Sequence, residues 1–302
     1  MQHVSFDEQS IQQARRYCAD ELFDSEVYRR LAEIEKNDAH RNILLEFSAQ
    51  EKGHYEFWRS IGGECVDEVK LWKARLFVLM RRLLGLTFTL KFLERHEKSV
   101  TESYRGFLGK ISDERLRKSL QKIIEDEEIH EKTHMQGINE KFVSYVGFIA
   151  LGLADAIVEI TGVHAGFLGV TSSTLITGIA GLIVGISAAI SMASAAYVQS
   201  KHELRTNPVT SALYTGLAYI IAVVLLAAPY FVFRSMINAF TISIITGVLM
   251  VLGFTFYGSV LQDKGFRREF LETTSLLFAT AIATYFIGEV IGGYFGIRGI
   301  FG

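Results

Sequence analysis

The sequence predicts an all-α protein in two parts, a four-helix bundle over residues 1–141 followed by five transmembrane helices over 142–302. Three observations predict it. Charge is unevenly placed: residues 1–141 hold 26 of the 33 acidic and 24 of the 31 basic side chains, and 142–302 hold seven of each. Within the second part, 161–200, 206–233 and 235–262 contain no Asp, Glu, Lys or Arg, and uncharged runs of that length suit a bilayer core rather than a surface. The first part contains no proline and repeats one pattern of Glu, Tyr and His. A net charge of −2 and the absence of a long basic cluster give no reason to expect a nucleic-acid partner.

The repeat sets out the helices of the first part in order. Glu21, Tyr28 and Glu51-Lys-Gly-His54 move, under a shift of 76 residues, onto Glu97, Tyr104 and Glu127-Glu-Ile-His130; Leu44 moves onto Leu120 without a gap. Seven residues are nearly two helical turns, so each Tyr shares a face with its Glu. The thirty residues from the first Glu to Glu51 hold one helix, a turn near Asn37–Arg41 and a return helix. A Glu and a His three apart project to the same side of a helix. Two such hairpins make a bundle with Glu21, Glu51, His54, Glu97, Glu127 and His130 converging inside. Inward Glu from two helices plus Glu-x-x-His from the other two is a di-metal carboxylate ligand set. Oxygen and imidazole donors without thiolate suit iron or manganese, with zinc admissible. Glu26 and Glu102 also obey the shift, but lie about 140° around the helix from Glu21 and Glu97, so they rank second. Glu94, one turn before Glu97, ranks with them, and Glu131-Lys-Thr-His134 is read as surface decoration.

The segment 69–86, VKLWKARLFVLMRRLLGL, reads as the crossover between the hairpins. An alternative rests Lys70, Lys73, Arg75, Arg81 and Arg82 on anionic headgroups while Trp72, Phe77 and Leu83 dip into a membrane. Cys18 and Cys65 form no CxxC pair, which argues against a disulfide scaffold or thiolate zinc site and suits a reducing compartment. The N-terminus lacks a basic-then-apolar signal pattern, so the first part is expected on the cytosolic side.

In the second part, spans are expected near 144–168, 172–198, 209–233, 236–261 and 271–296. Lys141, Lys201, Arg205, Lys264, Arg267 and Arg268 lie at one set of ends, and Arg234 and Arg298 at the other. The excess places the first part and the 2–3 and 4–5 loops in the cytoplasm and the C-terminus outside. Asp155 and Glu159, four apart on one helix face, are the leading intramembrane carboxylates, with Glu289 of second rank. His164, near the outer end, is expected at the interface. Gly178, Gly181 and Gly185, and Gly288, Gly292 and Gly296, are read as close-packing positions, with a dimer interface as one use.

These residues carry two resemblances. Through Glu21, Glu51-x-x-His54, Glu97 and Glu127-x-x-His130, most of 10–138 resembles the rubrerythrin branch of the ferritin-like superfamily. Through GLADAIVEITGVHAGFLG (152–169) and ISMASAAYVQSKHE (190–203), nearly all of 142–302 is similar to the vacuolar iron transporter family. The combination resembles the prokaryotic membrane-bound ferritin proteins. That resemblance implies a proton-coupled route for Fe2+ lined by Asp155, Met192 and, in this branch, Glu159, and it implies a homodimer. Two departures stand out. No second-span Glu precedes Met192 near Val184, and only SKHELRTNP (200–208) joins spans two and three, where relatives carry metal-collecting helices.

The expected function is a multi-pass exporter of Fe2+, with Mn2+ as a further cargo, in a prokaryotic cytoplasmic membrane. Its first part would collect, sense or oxidise the metal at a di-iron site. The rival is a membrane-anchored ferroxidase or peroxidase whose apolar part is only an anchor.

Overall fold

The computed structural model describes residues 6–65, 71–137, 141–204 and 206–297, with the side chains of 71, 96–99, 129–137 and 141 outside the description. The described residues form helices joined by short turns and loops, with no strand among them. The chain separates into two units, Met1–Glu140 and Lys141–Gly302.

Capping side chains fix the helices of the first unit. Helix α1 (Glu8–Ile34) starts where the Asp7 carboxylate accepts from the Ser10 N–H at 2.6 Å. Helix α2 (Asp38–Gly62) starts where Asn37 accepts from the N–H groups of Ala39 and His40. These contacts satisfy donors that a helix N-terminus leaves unpaired. Gly63 ends α2 at φ +79, a conformation that favours glycine. Helices α3 (Ala74–Leu84) and α4 (Leu86–Leu108) are divided by Gly85 at φ +92, and Asp113 caps α5 (Glu114–Gly137). Within the 69–86 segment, the described residues thus form a 3-10 turn (Leu71–Lys73) and the short separate helix α3, which runs into α4.

Helix α1 packs along α2, α4 lies against α5, α2 against α5, and α3 against α1 and α4. Helices α1, α2, α4 and α5 share one core. Its centre is aromatic: Tyr17 lies 4.7 Å from both Trp58 and Tyr104, ring to ring, and Trp58 lies 4.8 Å from Tyr104. Each fully buried aromatic or large aliphatic side chain contributes about 1.5–3 kcal/mol. A second cluster joins Tyr28, Leu31, Leu44 and Phe47 to Ala74 of α3 and Leu86 and Leu90 of α4.

The cysteines correct one expectation. Cys18 and Cys65 form a disulfide across 47 residues, with Cα atoms 6.1 Å apart. The CxxC test sees only local pairs, whereas folding α2 back along α1 brings these two together. The cysteines therefore give no support for a reducing compartment.

The second unit holds α6 (Val146–Val170), α7 (Thr174–Ser200), α8 (Pro208–Val232), α9 (Met236–Gln262) and α10 (Phe266–Phe295). All five are long and apolar enough to cross a bilayer, and the protein is a multi-pass membrane protein. Ser173 caps α7, which makes the short break after α6. Helix α10 begins before the expected span because Arg267, Arg268 and Glu269 form its first turn, where Arg268 pairs with Glu272 at 2.8 Å.

Glycines bring these helices together. A Cβ on Gly288 would overlap the Gly166 carbonyl, and one on Gly169 would lie 2.7 Å from the Tyr285 carbonyl oxygen, so α6 and α10 touch backbone to backbone. Gly178, Gly181 and Gly185 of α7 face Phe231, His164 and Val223. The α7 glycines, Gly288 and Gly292 are thus spent on packing inside the unit, while Gly296 caps α10 at φ +68.

Candidate functional site

Four donors meet inside the first unit. Glu21 on α1, Glu51 and His54 on α2 and Glu127 on α5 each offer a ligand atom, all within 4.8 Å of one another. All four residues are at most 9% exposed. His54 Nδ1 lies 2.9 Å from Glu127 Oε1, 3.1 Å from Glu51 Oε2 and 3.7 Å from Glu21 Oε2. Its Nε2 lies 4.0 Å from Asp126 Oδ2. Glu21 also accepts a hydrogen bond from the buried Tyr104 hydroxyl. In the 76-residue repeat, Tyr104 belongs to the second half and Glu21 to the first, so each half supplies groups to the same pocket.

The electrostatics suit a cation. Burial raises the Glu21 carboxyl well above its usual range, and the Glu51 and Glu127 charges add to that. Burial, then Glu51, raises Asp24 in the same direction. For His54 burial works against the charged ring, but hydrogen bonds to Glu127, Glu21 and Glu51 prevail and hold its pKa far above normal. Burial, then Glu21, raises Tyr104. His54 Nδ1 offers a single proton to three surrounding carboxyl groups, so the pocket is richer in acceptors than in donors. Oxygen and imidazole donors in this arrangement fit iron, manganese or zinc.

Of the other expected ligands, the side chains of Glu97 and His130 lie outside the described residues. Glu26 is turned away into ion pairs with Arg29 at 2.8 Å and Arg30 at 2.5 Å, and Glu102 is exposed. Glu94 is buried but not among the four clustered donors. Asp24, Asp126 and the role of Tyr104 are additions. The repeat already marked Tyr104; nothing marked Asp24 or Asp126.

In the second unit α6 carries Asp155 and Glu159, both partly exposed, and Glu159 accepts from the Tyr219 hydroxyl of α8. Met192 of α7 packs against the cluster that includes Ala156, Ile157, Ile160 and Tyr219. Glu289 is exposed on α10. His164 departs from the expected interfacial place, for it is 0% exposed inside the helix bundle. Gly181 leaves room for its ring, Tyr230 lies 4.3 Å from it centroid to centroid, and its Nδ1 is 3.4 Å from Ser243 Oγ. The Ser243 hydroxyl donates to the Leu226 carbonyl at 2.8 Å.

Residues 199–289 match the VIT family, a stretch running from the end of α7 into α10. The stretch is less than a third of the chain and lies wholly in the second unit, so Asp155, Glu159 and Met192 fall outside it. No curated protein matches the chain.

Proposed function

We propose that the protein exports Fe2+, with Mn2+ as a second cargo, from the cytosol across a prokaryotic cytoplasmic membrane, using a ferritin-like four-helix domain to collect the metal. The observation that carries this reading is the convergence of Glu21, Glu51, His54 and Glu127 in a chain that continues into five membrane-capable helices. The VIT family match supports metal as the cargo of that second unit. In this reading the repeat adds Glu97 and His130 to the four clustered donors to make a di-metal set. Iron held there would supply redox chemistry towards oxygen or peroxide. The chain's own contribution is to hold carboxylates in a dry pocket and to orient Glu21 through Tyr104.

Asp155, Glu159 and Met192 form the route through the membrane in this reading. Carboxylates there attract the cation, the thioether favours a transition metal over Mg2+ or Ca2+, and proton uptake helps discharge it. The excess of Lys201, Lys264, Arg267 and Arg268 at one set of ends supports a cytosolic first unit in this reading. A homodimer is expected from the resemblance; Glu289 holds no assigned role.

The test is metal content of cells carrying the full chain or its variants. Asp155→Ala and Glu51→Ala should each raise retained iron. Export that survives Asp155→Ala sinks the assigned route. Export and metal binding that both survive Glu51→Ala sink the collecting role.

A further inference from the structure

Helix α3 carries a surface that neither the metal pocket nor the spans use. Trp72, Leu76, Leu79 and Leu83 are 61%, 48%, 51% and 72% exposed. Trp72 lies in the 3-10 turn Leu71–Lys73 just before α3. Within α3, at 100° per residue, Leu76, Leu79 and Leu83 occupy about 60° of the circumference, a single apolar stripe. Lys73 flanks it on one side and Arg75 and Arg82 on the other, all exposed and, among the described residues, joined in no ion pair.

The stripe cannot turn inward, because the opposite face is anchored. Ala74 is fully buried there, and Phe77 sits 5.9 Å from Phe23 and 6.3 Å from Phe92, ring to ring. Arg81 donates to the buried Glu35 carboxylate at 2.7 and 3.1 Å, and Glu35 itself accepts from the Lys36 and Asn37 N–H groups. Phe77 and Arg81 are therefore inner-face residues, and Leu76 and Leu79 take the outward places.

We infer that α3 is an amphipathic surface helix that docks on an anionic bilayer, with Trp72, Leu76, Leu79 and Leu83 in the acyl boundary and Lys73, Arg75 and Arg82 on lipid phosphates. Cations flanking a narrow apolar stripe with a terminal Trp match such a surface. The same chain carries a membrane-capable helix from Phe142, so this unit is covalently tethered to a membrane-spanning one. A second copy would be a poorer occupant, because two α3 faces bring the same cations together.

The full chain reports on this directly, since its only two tryptophans are Trp58, fully buried, and Trp72. The chain is placed in nanodiscs of phosphatidylcholine, with or without phosphatidylglycerol, carrying brominated acyl chains. Subtracting the Trp72→Phe signal isolates Trp72. The expected result is about twofold quenching of Trp72 in the anionic discs, weaker quenching in phosphatidylcholine alone, and protection from aqueous acrylamide. Leu76→Glu with Leu79→Glu should abolish the quenching and restore acrylamide access while Trp58 emission stays unchanged. Trp72 open to acrylamide in both discs overturns the inference. So does equal quenching in the two lipids. Protection from acrylamide without bromolipid quenching overturns it too, and assigns the face to a second copy.

Discussion

Replacing Glu51 with Gln separates a metal pocket from a merely structural ion cluster, because the two predict opposite effects. His54 Nδ1 carries one proton and its nearest partner is Glu127 at 2.9 Å, with Glu51 at 3.1 Å. Without metal, Glu51→Gln keeps an acceptor beside that proton and forfeits less than the about 1.5–3 kcal/mol of a charge-assisted hydrogen bond, and it relieves repulsion from Glu21 and Glu127. A structural cluster would instead lose about 3–5 kcal/mol when one buried partner is removed. With metal at a thousand times its Kd, binding stabilises the native unit by about 4.1 kcal/mol. A hundredfold loss of affinity leaves about 1.4 kcal/mol of that. At about 3–5 °C per kcal/mol for a unit of this size, the metal-dependent rise in Tm should fall from about 12–20 °C to about 4–7 °C. Both tryptophans lie in the first unit, so their fluorescence follows its unfolding inside the full chain, anaerobically with Fe2+ or with Mn2+. An unchanged metal-dependent rise together with a metal-free loss above about 3 kcal/mol would refute the metal-pocket argument.

Metal affinity should rise with pH, since raised Glu21, Asp24 and His54 pKa values mean that binding must displace protons. The same raised values make the metal-free unit lose stability as pH climbs above the ordinary carboxylate range, so the metal-dependent Tm rise should widen; titration calorimetry in two buffers of different ionisation enthalpy reads the released protons. Gly288→Leu should drive α6 from α10 at Gly166 and cost about 3 kcal/mol or more, seen as early aggregation on heating in detergent, whereas Gly293→Leu, with open space at its Cβ, should behave as wild type. Reducing Cys18–Cys65 frees a 47-residue loop and should lower the stability of the first unit by about 2–4 kcal/mol, measured by tryptophan-monitored unfolding with and without a phosphine reductant.

What was legible in the sequence is what lies within one segment or within the repeat. Uncharged runs mark the five membrane-capable helices to within a few residues, and a 76-residue shift singles out Glu21, Glu51, His54 and Glu127, which the fold brings together. Contacts made only by packing stayed hidden. His164 looked interfacial because its place along α6 says nothing of the gap that Gly181 leaves 17 residues later. Cys18 meets Cys65 only because α2 returns along α1, and Phe77 and Leu76 exchange places because Arg81 is tied to Glu35. Glu26 obeyed the repeat as faithfully as Glu21, yet Arg29 and Arg30 hold it outside the pocket.

The crossing of Tyr104 to Glu21 bears on how the unit assembles. Groups drawn from Glu21 to Glu127 are separated by roughly a hundred residues of chain, so the pocket cannot exist until the last hairpin has closed on the first. Loop closure of that length and the crowding of like charges both oppose this final step. A cation rewards only the finished arrangement, since neither hairpin alone carries the set. If the proposed metal binds there, its supply during synthesis would act on the latest stage of folding, once the two hairpins have met.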